Sequence, residues 1–224
     1  MQQGTREWFE ARAGRVTASR IGDLMSRTKT GWGAARKHYF DEIVAERITG
    51  QPIIKRMPFL DFRLEREPEA RAAYAFYSDN EVEVVGFIEH PSIANSGCSP
   101  DGLVGSTGGL ELKCCDTTTH IEIITAGFID PDYIEQINFC MACTDREWWD
   151  FASYDPLMPE ELKLYVQRVP RDEKLIIEIE TCVIDFLLEV DEKVKQVRSL
   201  IRGSTPLLTA LESSLESLGV AHVI

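Results

Sequence analysis

The sequence predicts an α/β (α+β) fold in which helices flank a central mixed sheet. Three observations carry this expectation. Helical periodicity runs through residues 34–49 and again through 172–202. Between them, Leu110-Glu111-Leu112-Lys113-Cys114 alternates strictly, the signature of a half-buried strand. Two further strand-like runs, Trp148 to Tyr154 and Leu162 to Arg168, are joined through Asp155-Pro156.

The elements follow in order. Thr5 is placed to cap a short helix containing Trp8, Phe9 and Arg12. A loop through Gly14 and Arg15 leads to Thr17-Ala18-Ser19 and a second helix ending near Met25. Arg27 to Gly33 reads as a basic, glycine-containing loop. The helix over 34–49 sets Tyr39, Ile43, Val44 and Ile48 near one face and stops at Gly50. Residues 59–78 read as helix again, with Pro68 allowing a break or a fresh start. Val82, Val84, Phe87 and Ile88 form a strand-like stretch. In Ser96 to Val104 a strand bends or turns at Pro100 and Gly102, and Ser106-Thr107-Gly108-Gly109 reads as a hairpin turn. Helices are expected over about 117–126 and 132–143, then the long amphipathic helix from 172 and a shorter one after Pro206.

No repeat, low-complexity tract or Pro/Gly/Ser linker divides the 224 residues, so one domain is expected over 1–224, with C-terminal helices from about 172. Apolar residues make up 44%, enough for a sizeable core and too many for general disorder. Uncharged apolar runs such as Phe186-Leu187-Leu188 fall far short of the roughly 20 residues that span a bilayer. Met1 to Glu7 lacks the basic and then apolar regions of a signal peptide. The expectation is a soluble, cytoplasmic protein with no membrane partner. Six cysteines in this length do not suggest a disulfide framework. Cys140 and Cys143 have CxxC spacing, but no second CxxC or His pair accompanies them, so buried thiols on a helix are expected.

The net charge of −13 argues against a nucleic-acid partner until its distribution is read. Residues 1–37 carry +5, 38–72 carry −1, 73–171 carry −12 and 172–224 carry −5. A basic N-terminal segment faces an acidic middle, where a bound divalent metal would reverse the local sign.

Asp101 lies in Ser99-Pro100-Asp101-Gly102-Leu103, and Glu111-Leu112-Lys113 follows ten residues later. A hairpin sets these strands side by side, so Asp101 and Glu111 can converge, and Lys113 shares the face of Glu111. Two carboxylates suit a hard, oxygen-seeking ion such as magnesium, with manganese able to substitute. The carbonyl of Leu112 could be a third oxygen ligand. The Lys113 ammonium can hold or deprotonate an attacking water and offset charge on a phosphate. This chemistry suits phosphodiester hydrolysis.

The pattern P-D-x(9)-E-x-K resembles the PD-(D/E)xK nuclease superfamily, and the whole chain resembles the phage lambda exonuclease family (YqaJ-like viral recombinase nucleases). Five stretches carry this, in family order over residues 6–175. They are Trp8 through Arg12 to Val16-Thr17-Ala18-Ser19; Glu67-Pro68-Glu69-Ala70-Arg71 leading to Phe76 and Ser78; Cys98 to Leu103 with Gly109 to Cys114; Tyr133-Ile134-Glu135-Gln136; and Trp149 to Tyr154-Asp155-Pro156. The last fifty residues match weakly.

The resemblance implies a restriction-endonuclease-like core and a magnesium-dependent exonuclease, with two ions at the site, that degrades one strand of linear duplex DNA 5′→3′. It implies a ring-shaped homotrimer that threads DNA ends through its channel, and partnership with a phage-type single-strand annealing protein, in a bacterial host or encoded by a prophage. Residue by residue, Asp101 and Glu111 with the Leu112 carbonyl are the implied metal ligands, and Lys113 positions the water. Glu67 is the implied helix glutamate of the site, and Gln136 orients substrate or water, keeping its spacing from Tyr133. Arg12, Thr17 and Ser19 match a pocket for the 5′-phosphate, although both hydroxyls could equally cap a helix. Arg27 and Lys29 are candidate backbone contacts or solvated loop charges. Leu60, with Phe59 and Met57 beside it, is the candidate wedge for the terminal base pair. Arg63 stands where the family often has Gly, and Cys115-Asp116 where it often has Pro after the lysine.

Three other readings share this fold. A restriction-type endonuclease needs no pocket for a chain end, which the match at Arg12 and Ser19 opposes. A catalytically silent DNA-binding scaffold need not keep Asp101, Glu111 and Lys113 together. A Cas4-like nuclease needs four cysteines arranged for an iron–sulfur cluster, which the six here do not offer.

Overall fold

In a computed structural model, the backbone is described for residues 1–54 and 58–217, and the side chains for residues 1–54 and 66–200. The N-terminal helix α1 (Arg6–Arg12) is capped by Thr5, whose Oγ1 accepts the Trp8 N–H at 3.3 Å. Strand β1 (Val16–Thr17) follows, then a 3₁₀ turn (Ala18–Arg20) and α2 (Ile21–Met25). The expected loop after it is instead a hairpin of two short strands, β2 (Arg27–Thr28) and β3 (Gly31–Trp32). Trp32 lies between two guanidinium groups, with Arg27 4.3 Å and Arg36 4.0 Å from its ring centre. Helix α3 (Ala34–Thr49) ends as expected at Gly50, in the left-handed conformation.

Helix α4 (Pro58–Ser78) passes through Pro68 without stopping. An interior proline costs a helix about 3 kcal/mol. Packing offsets this, because Ala70 and Tyr74 just beyond it are fully buried against the sheet. Strands β4 (Val82–Glu83), β5 (Ile88–Glu89), β6 (Ser96–Cys98), β7 (Gly102–Val104) and β8 (Gly108–Cys114) follow. After α5 (Thr117–Ala126) and α6 (Pro131–Thr144) come β9 (Trp148–Tyr154), β10 (Leu164–Pro170) and the long helix α7 (Glu173–Ser217). The shorter helix expected after Pro206 is not separate, since α7 runs through that position.

The main sheet is mixed, in the order β10-β9-β8-β7-β4, with β8 and β9 parallel and the other neighbours antiparallel. A second sheet has the order β1-β6-β5. The stretch 96–104 therefore turns, as one of the two expectations had it, and is two strands. Its first half, β6, pairs with β1 and β5, and its second half, β7, pairs with β4 and β8. Ser99-Pro100-Asp101 is the corner between the sheets. Gly102 lets β4 approach just past it, since a Cβ there would fall 2.2 Å from Val82 Cγ1. The turn between β7 and β8 is Gly105-Ser106-Thr107, one step earlier than the sequence suggests, with Gly105 at φ +53°.

Side chains of β8 divide as the alternation predicts. Leu110, Leu112 and Cys114 join Ala152 and Tyr154 of β9 in a core closed by Ala70 and Tyr74 of α4. The other face turns toward the larger core, where Trp149 and Phe151 meet α6, and where Ile176, Ile179, Val183, Phe186 and Val190 of α7 pack on α2, α3 and α6. All six cysteines are buried thiols, Cys140 and Cys143 on α6 as expected. Among the described residues no helix is long and apolar enough to cross a membrane.

Candidate active site

The β7–β8 register pairs Gly102 with Leu110 and Leu103 with Gly109. Carried one position further, it sets Asp101 against Glu111 where the strands splay. Asp101 Oδ2 accepts the Leu112 N–H at 2.7 Å, which fixes its carboxylate across the hairpin. Lys113 Nζ donates to Glu111 Oε1 at 2.5 Å and stands 4.5 Å from the ring centre of Tyr133 on α6. Tyr133 in turn stacks on Phe151, with ring centres 5.4 Å apart. The ammonium is thus held between a carboxylate and an aromatic face.

Withdrawal from water raises the Asp101 carboxyl well above the usual range, and the charges of Glu111 and then Glu67 add to it. For Lys113, burial favours loss of the proton, but Glu111 and Asp101 outweigh it and the ammonium is raised overall. Glu67 is held by Arg71, one turn further along α4. Arg71 Nε also donates to the main-chain oxygen of Asp101 at 3.1 Å.

A second polar group lies beside this one. Arg12 Nη1 donates to Ser99 Oγ at 3.0 Å, and Nη2 approaches Ser19 Oγ at 3.3 Å and Thr17 Oγ1 at 3.5 Å. Its guanidinium lies 4.1 Å from the Trp8 ring centre, and Trp8 Nε1 donates to the same Ser99 Oγ at 3.0 Å. Burial lowers the Arg12 pKa, with Tyr39 the largest opposing influence. Thr17 occupies the N-cap of the 3₁₀ turn without using its side chain there, so its hydroxyl faces Arg12 instead of capping. The Thr17 N–H is taken by Tyr39 Oη at 3.0 Å. An anion would meet a planar cation and three hydroxyls here, the chemistry of a phosphate pocket.

One cavity of about 380 Å³ joins the two groups. Arg12, Thr17, Ser19, Glu67, Asp101, Glu111, Leu112 and Lys113 all line it. Three expected site residues do not. Gln136 is half-buried on α6, one turn beyond Tyr133, and Arg27 and Lys29 are exposed on the β2–β3 hairpin. The side chains of the expected wedge at Leu60, of Phe59 beside it and of Arg63 lie outside the described ones, and Met57 outside the described residues. Sequence reasoning missed Ser99, Trp8 and Arg71 as site residues. Ser99 was recoverable, because it stands two residues before Asp101 on the same corner.

The donors available to a metal are all oxygen: Asp101, Glu111 and the Leu112 carbonyl, with Glu67 near them. Among the described residues no three His, Cys, Asp or Glu side chains stand together at ligand spacing. The carboxylates are held by Arg71, Lys113 and the Leu112 N–H. A set of hard oxygens whose charges act on one another fits a hard divalent cation.

The chain belongs to the family of YqaJ-like viral recombinase domains, whose model matches residues 7–147. The fold is restriction-endonuclease-like, and the resemblance read from the five stretches holds. Among solved structures the chain is similar to LHK-Exo, an alkaline exonuclease from Laribacter hongkongensis, also solved in complex with dAMP. The two are 44% identical, the match covers 89% of this chain and 99% of that one, and the TM-score is 0.83. A phage related exonuclease from Haemophilus somnus 129PT shares the fold, with a TM-score of 0.66 at 14% identity over 82% of this chain and 96% of its own. An uncharacterized protein of Escherichia coli (strain K12), ExoD, is 32% identical over 65 residues, which are 29% of this chain and 74% of that protein.

Proposed function

We propose that this chain is a magnesium-dependent exonuclease acting at the ends of linear duplex DNA. It removes one strand 5′→3′ as mononucleotides and leaves a 3′ single strand for recombination by annealing. One observation carries the reading: a single cavity is lined by the Arg12, Thr17 and Ser19 group and by Asp101, Glu111 and Lys113. The similarity to an alkaline exonuclease over 99% of its length supports it, and dAMP is the kind of mononucleotide such a reaction releases.

Asp101, Glu111 and the Leu112 carbonyl would hold magnesium, as two ions, with manganese able to substitute. When bound, the metal would supply Lewis acidity that withdraws charge from the phosphoryl oxygens and leaves phosphorus open to attack. Lys113 hydrogen-bonds the attacking water and offsets charge on the phosphate. Gln136 orients substrate from α6. Water oxygen bonds to phosphorus as the P–O3′ bond breaks, and the departing O3′ takes a proton. The released mononucleotide keeps its own 5′-phosphate, and the shortened strand begins with a new one. Each cycle therefore regenerates the group that Arg12, Thr17, Ser19 and Ser99 are built to bind, which favours processive action.

A homotrimeric ring threading the duplex, with an annealing protein as partner, completes the reading. The charge pattern supports it, since a basic segment gathered inside an acidic exterior would steer DNA to the channel. Arg27 and Lys29 on the exposed hairpin are then contacts to the DNA backbone. The test is incubation of end-labelled linear duplex and closed circular duplex with magnesium. Mononucleotides from the linear form alone, appearing first from a 5′ label, are expected. A nicked circle would indicate an endonuclease, and two intact substrates a scaffold.

A further inference from the structure

Glu67 reaches the cleft from a different side of the sheet than its partners do. Glu111 and Lys113 stand on the face of β8 that looks toward α6, beside Phe151 and Tyr133. Leu110, Leu112 and Cys114 face the opposite way, against Ala70 and Tyr74 of α4. Helix α4, which carries Glu67, therefore covers the far face. Its anchors fix it to the sheet without aiming Glu67. Ala70 and Tyr74 are fully buried, and Tyr74 Oη donates to Asp150 Oδ2 at 2.7 Å.

Arg71 makes the link across the sheet edge. One planar guanidinium donates to the Glu67 carboxylate and, through Nε at 3.1 Å, to the main-chain oxygen of Asp101. It grips the side chain of one acid and the backbone of the next. The side chains of Arg71 and Glu67 are only 17% and 26% exposed, so this is not a solvated surface pair of negligible worth. A lysine could match the charge but not the two-way fork.

We infer that Arg71 is a positioning residue that holds the Glu67 carboxylate on the Asp101 side of the cleft they both line. This rests on the exonuclease reading. Without Arg71, Glu67 loses the partner that holds it, is repelled by Asp101 and Glu111, and turns to solvent. Magnesium affinity and the chemical step then suffer together, while the grip on DNA, made elsewhere in the cleft, does not.

The test is a double-mutant cycle between Glu67→Gln and Arg71→Ala, with Arg71→Lys alongside. Two quantities are measured. One is the magnesium concentration that half-saturates the rise in thermal midpoint of DNA-free protein. The other is kcat and KM on 5′-phosphorylated linear duplex. Losing a residue that orients a ligand typically costs about 10- to 100-fold in metal affinity or activity. Arg71→Ala should show a loss of that size in half-saturating magnesium and in kcat, with KM little changed. Arg71→Lys should fall between it and wild type, and the double variant should be no worse than Glu67→Gln alone. Independent, multiplying losses would overturn the inference, as would a KM effect with a wild-type magnesium response. Should Arg71→Ala fail to fold, Arg71→Lys decides: a folded protein with wild-type magnesium response and kcat overturns it. If wild type itself neither responds to magnesium nor cleaves, the exonuclease reading falls and this inference with it.

Discussion

Ser99 and Asp101, two residues apart on one corner, serve the two halves of the cleft. Ser99 Oγ accepts Arg12 Nη1 at 3.0 Å, while Asp101 Oδ2 accepts the Leu112 N–H at 2.7 Å. The corner exists because the chain leaves one sheet after Cys98 and joins the other at Gly102. The spacing between the Arg12 group and the Asp101, Glu111 and Lys113 group is thereby set by a single proline-containing tripeptide.

Replacing Lys113 by alanine should abolish cleavage and leave DNA binding nearly intact. Lys113 contacts Glu111 and the Tyr133 face and no part of the Arg12 group. Loss of one positioned charge at the reacting phosphate should cost about 10²-fold or more in rate. Single-turnover rates and DNA affinity, measured on the same preparation, check this. Near wild-type turnover would remove Lys113 from the mechanism.

Arg12→Ala should erase the preference for a 5′-phosphorylated end. A charge-assisted fork to phosphate is worth roughly 1.5–3 kcal/mol, or about one to two decades in binding. Affinities for 5′-phosphoryl and 5′-hydroxyl duplexes are compared for both proteins. Equal slowing on both ends would make Arg12 a structural residue, gripping Trp8 and Ser99 only.

Metal choice follows from the donors. Carboxylates and a carbonyl should accept magnesium or manganese for turnover and calcium for binding without efficient turnover. Cys114 points into the core with Leu110 and Leu112, so Cys114→Ser should keep magnesium-dependent activity while losing stability. Dependence on zinc, or loss of metal binding in a folded Cys114→Ser protein, would show that the ligand set is wrong.

Acid should loosen the fold through His90. Its Nδ1 accepts the N–H groups of Ser92 at 3.3 Å and Ile93 at 3.1 Å, so the ring is neutral and Nε2 donates to Glu180 at 3.0 Å. Burial lowers its pKa, opposed by Glu180. A histidine held below its unfolded value of about 6.5 contributes fully above that pH and loses its contribution as pH falls through and below it. Thermal midpoints should therefore drop between about pH 7 and pH 5. His90→Asn should be less stable at pH 7 but show a shallower drop. Parallel curves for the two proteins would assign the acid sensitivity to other groups.

Much of the Asp101, Glu111 and Lys113 group was legible because it is local. Alternation over Leu110 to Cys114 fixes which side chains share a face, and one hairpin brings Asp101 to Glu111. A bend or turn at Pro100 and Gly102 was legible, but the switch between sheets was not, because the end of β6 is decided by pairing with β1, some 80 residues earlier in the chain. The hairpin at Arg27 to Trp32 was hidden by strands only two residues long, too short for periodicity to register. The helix over 59–78 was legible, but whether Pro68 breaks it was not: burial of Ala70 and Tyr74 overrides a local rule that counts only hydrogen bonds within the helix. Arg71 lay within a matched stretch, but nothing in the sequence showed that it reaches the Asp101 backbone, since that contact crosses from α4 to the corner.

The burial of all six thiols turns the cysteines into reporters of opening. A thiol reagent added to folded protein meets none of them, so the rate at which each is modified measures how often its surroundings come apart. The set is well spread: Cys98 beside the corner, Cys114 and Cys115 at the end of β8, Cys140 and Cys143 on α6, and Cys182 on α7. Pulse labelling read by peptide mass would rank these regions in a single experiment without introducing any probe. Adding DNA ends or magnesium would show which of them a ligand closes.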